Sequence, residues 1–211
     1  MAQSAAVRLN ELLATAGFPR LETHLAGQFQ VYFDLLLHWN ARLNLTAVRD
    51  QEGILCRHFV ESIACARTVP AGVTSLLDFG SGAGFPGIPI ALCRPEIRVT
   101  LAESQAKKTA FLREAVRTLG LQTEVFRGRA ETLRMAFDCV AMRAVDRMEK
   151  SVGEGARLVA PGGYLVLMTS VDRSATLRSA AGDGLNWFKS EPLPFSAERQ
   201  IEVGRRNSGT D

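Results

Sequence analysis

The stretch Leu76 to Gly87, LLDFGSGAGFPG, constrains the fold more than any other. An apolar run from Val73 to Phe79, interrupted by Thr74, Ser75 and Asp78 and ended by glycines, reads as a parallel strand buried on both faces. Gly80, Gly82 and Gly84 alternate after it, which frees the backbone for positive φ and for close approach of a ligand. Pro86 suits the first turn of a helix, where its missing N–H leaves no bond unmade. A strand, a glycine turn and a helix in that order form the architecture of a nucleotide-type site. Gly82, Gly84 and Gly87 also satisfy G-x-G-x-x-G, a pattern that occurs often by chance. The turn therefore indicates an adenosine-containing cofactor and leaves the chemistry open.

Such a turn calls for an acidic residue about 20 positions on, at the end of the second strand, to accept hydrogen bonds from ribose hydroxyls. Glu103 stands there. Ile97, Val99 and Leu101 alternate with Arg98 and Thr100 ahead of it, which puts the carboxylate at the carboxyl end of that strand. Its alternative role is to cap the helix that begins near Gln105. Further along, a helix is expected over Gln105–Leu119 and strands over Thr123–Phe126 and Phe137–Met142. A helix over Met148–Leu158, a turn at Pro161-Gly162-Gly163 and a fifth strand over Tyr164–Met168 follow. Ala175–Ala181 is a weak helix, Asn186–Phe188 and Gln200–Val203 are closing antiparallel strands, and Arg205–Asp211 reads as a frayed tail. The expected class is α/β, a doubly wound Rossmann-type sheet.

In open α/β sheets ligands lie beyond the carboxyl ends of the strands. Gly128-Arg129-Ala130-Glu131 follows the third strand and Arg143-Ala144-Val145 the fourth. Ala130 offers a backbone N–H to an adenine nitrogen, and Glu131 is placed to cap a short helix. Arg143 is placed to hold a carboxylate or a phosphate bidentately, its structural alternative being an ion pair with Glu131 or Asp146.

Residues 1–70 show helical periodicity and no convincing strand, so a helical cap over 1–70 and a Rossmann-like domain over 71–211 are expected. A chain of 211 residues is long enough for both. Leu9, Leu12, Leu13 and Ala16 form an apolar face that stops at Gly17 and Pro19. Leu25, Phe29, Tyr32, Phe33 and Leu36 mark a longer helix over Leu21–Leu43, and Leu55, Phe59 and Ile63 a third from about Asp50 to Arg67, with Asp50 as N-cap. Between them Trp39 is a candidate to stack on an RNA base, with Arg42 and Asn44 as polar contacts. The alternative is a helix C-terminus with an anchored indole and capping side chains. His58 and Ser62 stand one helical turn apart, with Glu61 beside them. A lone helical His is either a catalytic group or, more commonly, a hydrogen-bonded core residue, and with no second His nearby no metal site is expected.

The hydrophobic fraction of 46% and charged fraction of 22% are ordinary for a soluble domain, and no apolar run reaches the ~18 residues of a membrane span. Without a basic-then-apolar leader the expectation is a cytoplasmic protein, working as a monomer. Cys56, Cys65, Cys93 and Cys139 lack the close spacing of zinc or redox motifs and read as reduced core residues. A net charge of +3 is mildly basic, so any nucleic-acid surface must be local. Arg57, Arg127, Arg129 and Arg42 are its candidate cations, and His58 is a further candidate RNA contact.

With these segments placed, the chain resembles the RsmG family, also called glucose-inhibited division protein B. The resemblance runs through WNARLNLTAV at Trp39, HFVES at His58, LLDFGSGAGFPGIPIAL at Leu76 and ESQAKKTAFL at Glu103. It continues through GRAE at Gly128 and FDCVAMRAV at Phe137 to LVAPGGYLVL at Leu158. Each segment is weak alone, and their order and spacing together are specific. The resemblance implies an S-adenosylmethionine-dependent methyltransferase acting on guanine N7 in the 530 loop of 16S rRNA; the expected partner is that RNA in the small ribosomal subunit or an assembly intermediate. It also implies that Gly80, Phe85, Ala130, Glu131 and Arg143 line the cofactor site. The chain departs from the family at Met168-Thr169, where a Lys-Gly pair is common, which leaves open whether Arg173 or Arg178 substitutes. Guanine N7 carries a lone pair and no proton, so positioning is enough and no general base is assigned; Arg143 is the one possible catalytic group. The alternatives are an enzyme using a nicotinamide dinucleotide and a non-catalytic ribosome assembly factor that kept the fold.

Overall fold

The computed structural model describes residues 3–145 and 148–209. Three helical segments precede the sheet. α1 (Ala5–Thr15) begins at Ser4, whose hydroxyl accepts from the Val7 N–H, and buries Leu9, Leu12 and Leu13. α2 (Thr23–Leu43) turns Phe29, Tyr32, Phe33 and Leu36 inward and ends at Asn44 in the left-handed region, φ 49°. Asn tolerates that conformation better than most side chains do. The third helix is continuous but not uniform. α3 (Gln51–Ile54), capped by Asp50, passes through a π-helical segment (Leu55–Val60) into α4 (Glu61–Thr68). A π segment changes the phase of the side chains and is common at functional sites; this one carries Arg57 and His58.

The sheet then alternates with helices: β1 (Ser75–Phe79), α5 (Gly87–Cys93), β2 (Arg98–Glu103), α6 (Ala106–Thr118), β3 (Glu124–Arg127) and β4 (Phe137–Arg143). α7 (Met148–Arg157), β5 (Val159–Ser170), α8 (Val171–Ala180), β6 (Leu185–Trp187), β7 (Glu191–Pro192) and β8 (Arg199–Arg206) complete it. Strand order is β3-β2-β1-β4-β5-β8-β6, with β7 paired to β8. β1 to β5 are parallel, and β8 runs antiparallel to β5. The order reverses between β1 and β4, so the crevice opens beyond their carboxyl ends.

Both faces of the sheet are covered. Leu76, Leu101, Cys139 and Val166 pack with the N-terminal helices, α5 and α6 in one continuous core. Leu77, Val140, Met142 and Leu167 pack with α7 and α8 in the other. The double coverage explains the near-continuous apolar run of β1.

Two expected loops are strand. Pro161-Gly162-Gly163 lies inside β5, where the pairing slips between Phe137↔Val159 and Cys139↔Tyr164 and the surplus residues bulge, Gly162 taking φ 76°. Arg205 and Arg206, expected in the tail, extend β8; Arg205 pairs with both Tyr164 and Asn186. A strand flanked on both sides satisfies its backbone further than its own apolar alternation suggests.

Glu202 of β8 is fully buried and accepts from Arg178 Nε at 3.0 Å, from Gln200 at 2.7 Å and from the Ser174 and Ser190 hydroxyls. A buried carboxylate requires that compensation. The four cysteines are free thiols, and burial pushes Cys65 and Cys93 up to about 12. Among the described residues no helix is long and apolar enough to cross a membrane.

Candidate functional site

The glycine turn after β1 is held from two sides. From the sheet, Ala102 O accepts from the Ser81 N–H at 2.9 Å, Glu103 Oε2 from the Gly82 N–H at 3.0 Å, and Asp78 Oδ2 from the Gly87 N–H at 3.0 Å. From the helices, the Tyr32 hydroxyl donates to Ala83 O at 2.6 Å. Phe85 packs against Tyr32 at 5.2 Å and Phe59 at 5.3 Å and stacks on His58 at 5.0 Å. Gly80, Gly82 and Gly84 all take positive φ. At Gly84, φ 90°, an added Cβ would also stand 2.5 Å from Ile88 Cδ1 and 2.9 Å from the Tyr32 oxygen, so the close approach of α2 itself requires glycine. The N-terminal helices are therefore part of the site, since they press the turn into shape.

Two adjoining cavities, of about 410 and 520 Å³, lie in the crevice and share Gly80, Glu103, Ser104 and Val145. The first is lined by Thr46, His58, Gly82, Phe85 and Arg143, the second by Phe79, Ala102, Gly128, Arg129, Ala130 and Glu131. Glu103 is 6% exposed between them. The capping role is met, since Oε1 accepts from the Gln105 N–H at 2.7 Å at the start of α6, and Oε2 in addition fixes the glycine turn. Each oxygen keeps a second lone pair for a hydroxyl donor. A carboxylate between a glycine cradle and a slot walled by Ala102, Gly128 and Ala130 fits a nucleoside carrying an amino-acid tail.

Arg143 faces the helices. Its Nη2 donates to Glu61 Oε2 at 3.3 Å, to His58 Nδ1 at 3.1 Å and to the Arg57 carbonyl. Glu131, one of the partners expected for it, is 3.5 Å from Arg129 instead, and Asp146 lies outside the described residues. Glu61 is 1% exposed and also accepts from Arg199 of β8 at 2.5 Å. Burial pushes the Glu61 carboxyl up and the two guanidiniums pull it back, so the carboxylate survives only with its cations.

A guanidinium only donates, so His58 Nδ1 is the acceptor and the ring proton sits on Nε2, 2.6 Å from Thr46 Oγ1. Burial, and then the charges of Arg143 and Arg57, bring His58 down to about 3. The ring is neutral with both nitrogens engaged, as a core histidine is.

The Trp39 to Thr46 stretch is a helix terminus. The Trp39 ring meets Phe111 edge-on at 5.8 Å, Asn44 caps α2 and accepts from Arg49 at 2.9 Å, and Asn40 accepts from the Thr46 N–H at 2.9 Å. Trp39, Arg42 and Asn44 line neither crevice cavity; Arg42, Arg57, Arg127 and Arg129 are exposed. Arg178, one candidate for the missing lysine, is committed to Glu202. Met168 instead shares a third cavity with Arg173 and Arg199.

Asp78 is 1% exposed, and burial pushes its carboxyl from 3.8 up to about 7. The folded form then holds the proton more tightly, so this contribution to stability is complete below pH 3.8 and lost as pH rises to about 7. His58 has the opposite sign: its contribution is present above 6.5 and lost as pH falls toward about 3. Asp78→Asn keeps an acceptor for the Gly87 N–H and is expected to remove the acid-side gain, so its unfolding temperature declines less than that of the wild type between pH 4 and 7. Calorimetry across that range checks it; parallel profiles would count against a protonated Asp78.

A parallel sheet with an antiparallel strand inserted beside β5, and an acidic residue at the end of β2 over a glycine turn, defines a Rossmann-type methyltransferase fold. A methyltransferase from Pyrococcus furiosus shares it with a TM-score of 0.61, over 86% of this chain and 97% of that one, at 14% identity. The family model for rRNA small subunit methyltransferase G matches residues 26–181. A Stenotrophomonas maltophilia protein named Ribosomal RNA small subunit methyltransferase G is 43% identical over 171 residues, 80% of this chain and 78% of its own. A Pelotomaculum thermopropionicum protein of the same name is 36% identical over 197 residues, 86% of this chain and 82% of its own. The chain belongs to the rRNA small subunit methyltransferase G family and is a methyltransferase.

Proposed function

We propose that the protein transfers a methyl group from S-adenosylmethionine to N7 of a guanine in the 530 loop of 16S rRNA, with the small ribosomal subunit or an assembly intermediate as substrate. The observation that carries this reading is the Glu103 carboxylate bound to the glycine turn in a chain of this family. Glu103 would accept the ribose hydroxyls. Ala130 and Glu131 would flank the adenine, and the Gly80–Gly84 backbone would cradle the amino-acid end. Bound there, the cofactor supplies an electrophilic methyl group on a sulfonium.

The chain's own task is alignment. N7 presents a lone pair without a proton, so no residue has to accept one, and held geometry contributes on the order of 7 to 11 kcal/mol. His58, engaged at both nitrogens, serves as a wall of the crevice and not as a base. On the RNA side, Arg42, Arg57, Arg127 and Arg129 are exposed cations for backbone phosphates.

Tritium transfer from labelled cofactor to small subunits lacking the mark tests the reaction, with the product guanine identified by its chemical lability. No incorporation would favour a binding protein that kept the fold. Glu103→Ala removes charge-assisted hydrogen bonds worth about 1.5 to 3 kcal/mol, so cofactor affinity is expected to fall roughly ten- to a hundredfold by calorimetric titration. An unchanged dissociation constant would leave Glu103 only its contacts to Gly82 and Gln105.

A further inference from the structure

A further cavity, of about 200 Å³, adjoins the crevice. Its wall carries four guanidinium groups, from Arg57, Arg143, Arg173 and Arg199, against the single carboxylate of Glu61. It shares Arg143 and Ala144 with the first crevice cavity, so Arg143 stands at the border of both.

Two of these arginines are only half bonded. Arg143 commits Nη2 to Glu61, His58 and the Arg57 carbonyl, while its buried Nη1 has no partner among the described residues. Arg199 donates Nη2 to Glu61 Oε1 at 2.5 Å, while its buried Nε has no partner either. Buried donors are nearly always paired, and an orphan on a charged group is among the most unfavourable. One carboxylate fixes both forks and neutralises only one of them. Arg173, the third, makes a surface pair with Glu149 at 3.3 Å, the kind of contact that a stronger anion displaces. Met168 of β5 lines the same cavity, and its positive charge comes from the π-helical segment, β4, α8 and β8.

We propose that this cavity is a phosphate subsite that receives the RNA backbone next to the target guanine. Arg143 and Arg199 supply the buried donors, and Arg57 and Arg173 form the rim. A phosphodiester suits it, because it brings one negative charge and two non-bridging oxygens to planar donor forks. Phosphate contacts set register, and through Arg143 this one would set it against the methyl-transfer crevice. The proposal rests on the rRNA reading above.

The test is binding of small subunits by wild type, Arg173→Ala, Arg199→Ala and Arg199→Lys across a salt series without cofactor, with cofactor affinity measured in parallel. Each Ala variant is expected to flatten the slope of log K against log salt by about 0.7 and to weaken binding about tenfold, leaving cofactor affinity unchanged. Arg199→Lys keeps the charge and loses the fork, so it should recover the slope and only part of the affinity. Where Arg199→Ala fails to fold for want of its Glu61 contact, Arg173→Ala carries the test. An unchanged slope in Arg173→Ala overturns the subsite, as does loss of cofactor affinity without a change of slope in Arg199→Ala. Thermal stabilisation of the wild type by inorganic phosphate, with no effect of the variants on subunit binding, would assign the cavity to free anions and overturn it too. Flattened slopes in the variants, with a wild type that binds subunits but transfers no methyl group, would keep the subsite and reject the methylation reading; a wild type that does not bind subunits rejects both.

Discussion

Glu61→Ala is expected to lower folding stability by about 3 kcal/mol, the lower end of the range for removing one partner of a buried ion pair. Glu61 is 1% exposed and bridges side chains that reach it from two other elements, Arg143 of β4 and Arg199 of β8. Without it, two guanidiniums face each other over an apolar base with no counter-charge. Arg143, 14% exposed, bears most of that loss; Arg199 is 29% exposed and can turn toward water, which is why the lower end applies. Glu61→Gln keeps the shape and one acceptor and should fall between. Urea unfolding monitored by tryptophan fluorescence and by circular dichroism measures it. A midpoint within error of the wild type would mean that the cap and sheet are held by apolar packing alone. The same variant should also free Arg143 and His58, so cofactor affinity is expected to drop more than the stability loss accounts for.

What could be read from the sequence follows the range of the physics. β1, the glycine turn, β2 and Glu103 were legible because each is specified by neighbours: apolar alternation, glycine punctuation and a fixed spacing. The wall of the crevice opposite was not. The contact between Glu61 and Arg199 spans 138 positions, and no period or motif connects them. Arg143 was placed correctly at the end of β4, yet its direction is set by His58 and Glu61, which lie on a helix whose π segment breaks the 3.6-residue phase on which side-chain faces are counted. Tyr32 looked like one more core aromatic at helical spacing, and only its hydroxyl bond to Ala83 reveals that it shapes the turn. In the Trp39 stretch the sequence left two readings open. Its mix of indole, amides and cation suits recognition and a helix terminus alike, and the structure shows the terminus, with Asn44 ending α2 and Trp39 packed on Phe111.

Gly87→Ala is expected to destabilise the protein by about 1 to 3 kcal/mol and to weaken cofactor binding at the same time. The added Cβ would overlap Leu101 Cδ2 and stand 2.5 Å from Asp78 Oδ2 and 2.8 Å from Asp78 Cβ. Neither neighbour has room to retreat: Leu101 is fully buried in β2, and Asp78, 1% exposed in β1, accepts the Gly87 N–H itself. The start of α5 must therefore move away from β1. That displacement pulls on the segment from Gly82 to Phe85, and with it on the Gly82 bond to Glu103 and the Tyr32 bond to Ala83. In a chain of this size each kcal/mol lowers the unfolding temperature by roughly 2 to 4 °C, so scanning calorimetry with and without cofactor resolves both effects. Gly27→Ala provides the contrast. Gly27 is exposed inside α2 with nothing within 4 Å of a Cβ, and alanine there should stabilise by about 0.4 to 1 kcal/mol through helix propensity and a less flexible unfolded chain. If Gly87→Ala behaves like Gly27→Ala, the close seating of α5 on β1 is not what shapes the cofactor turn.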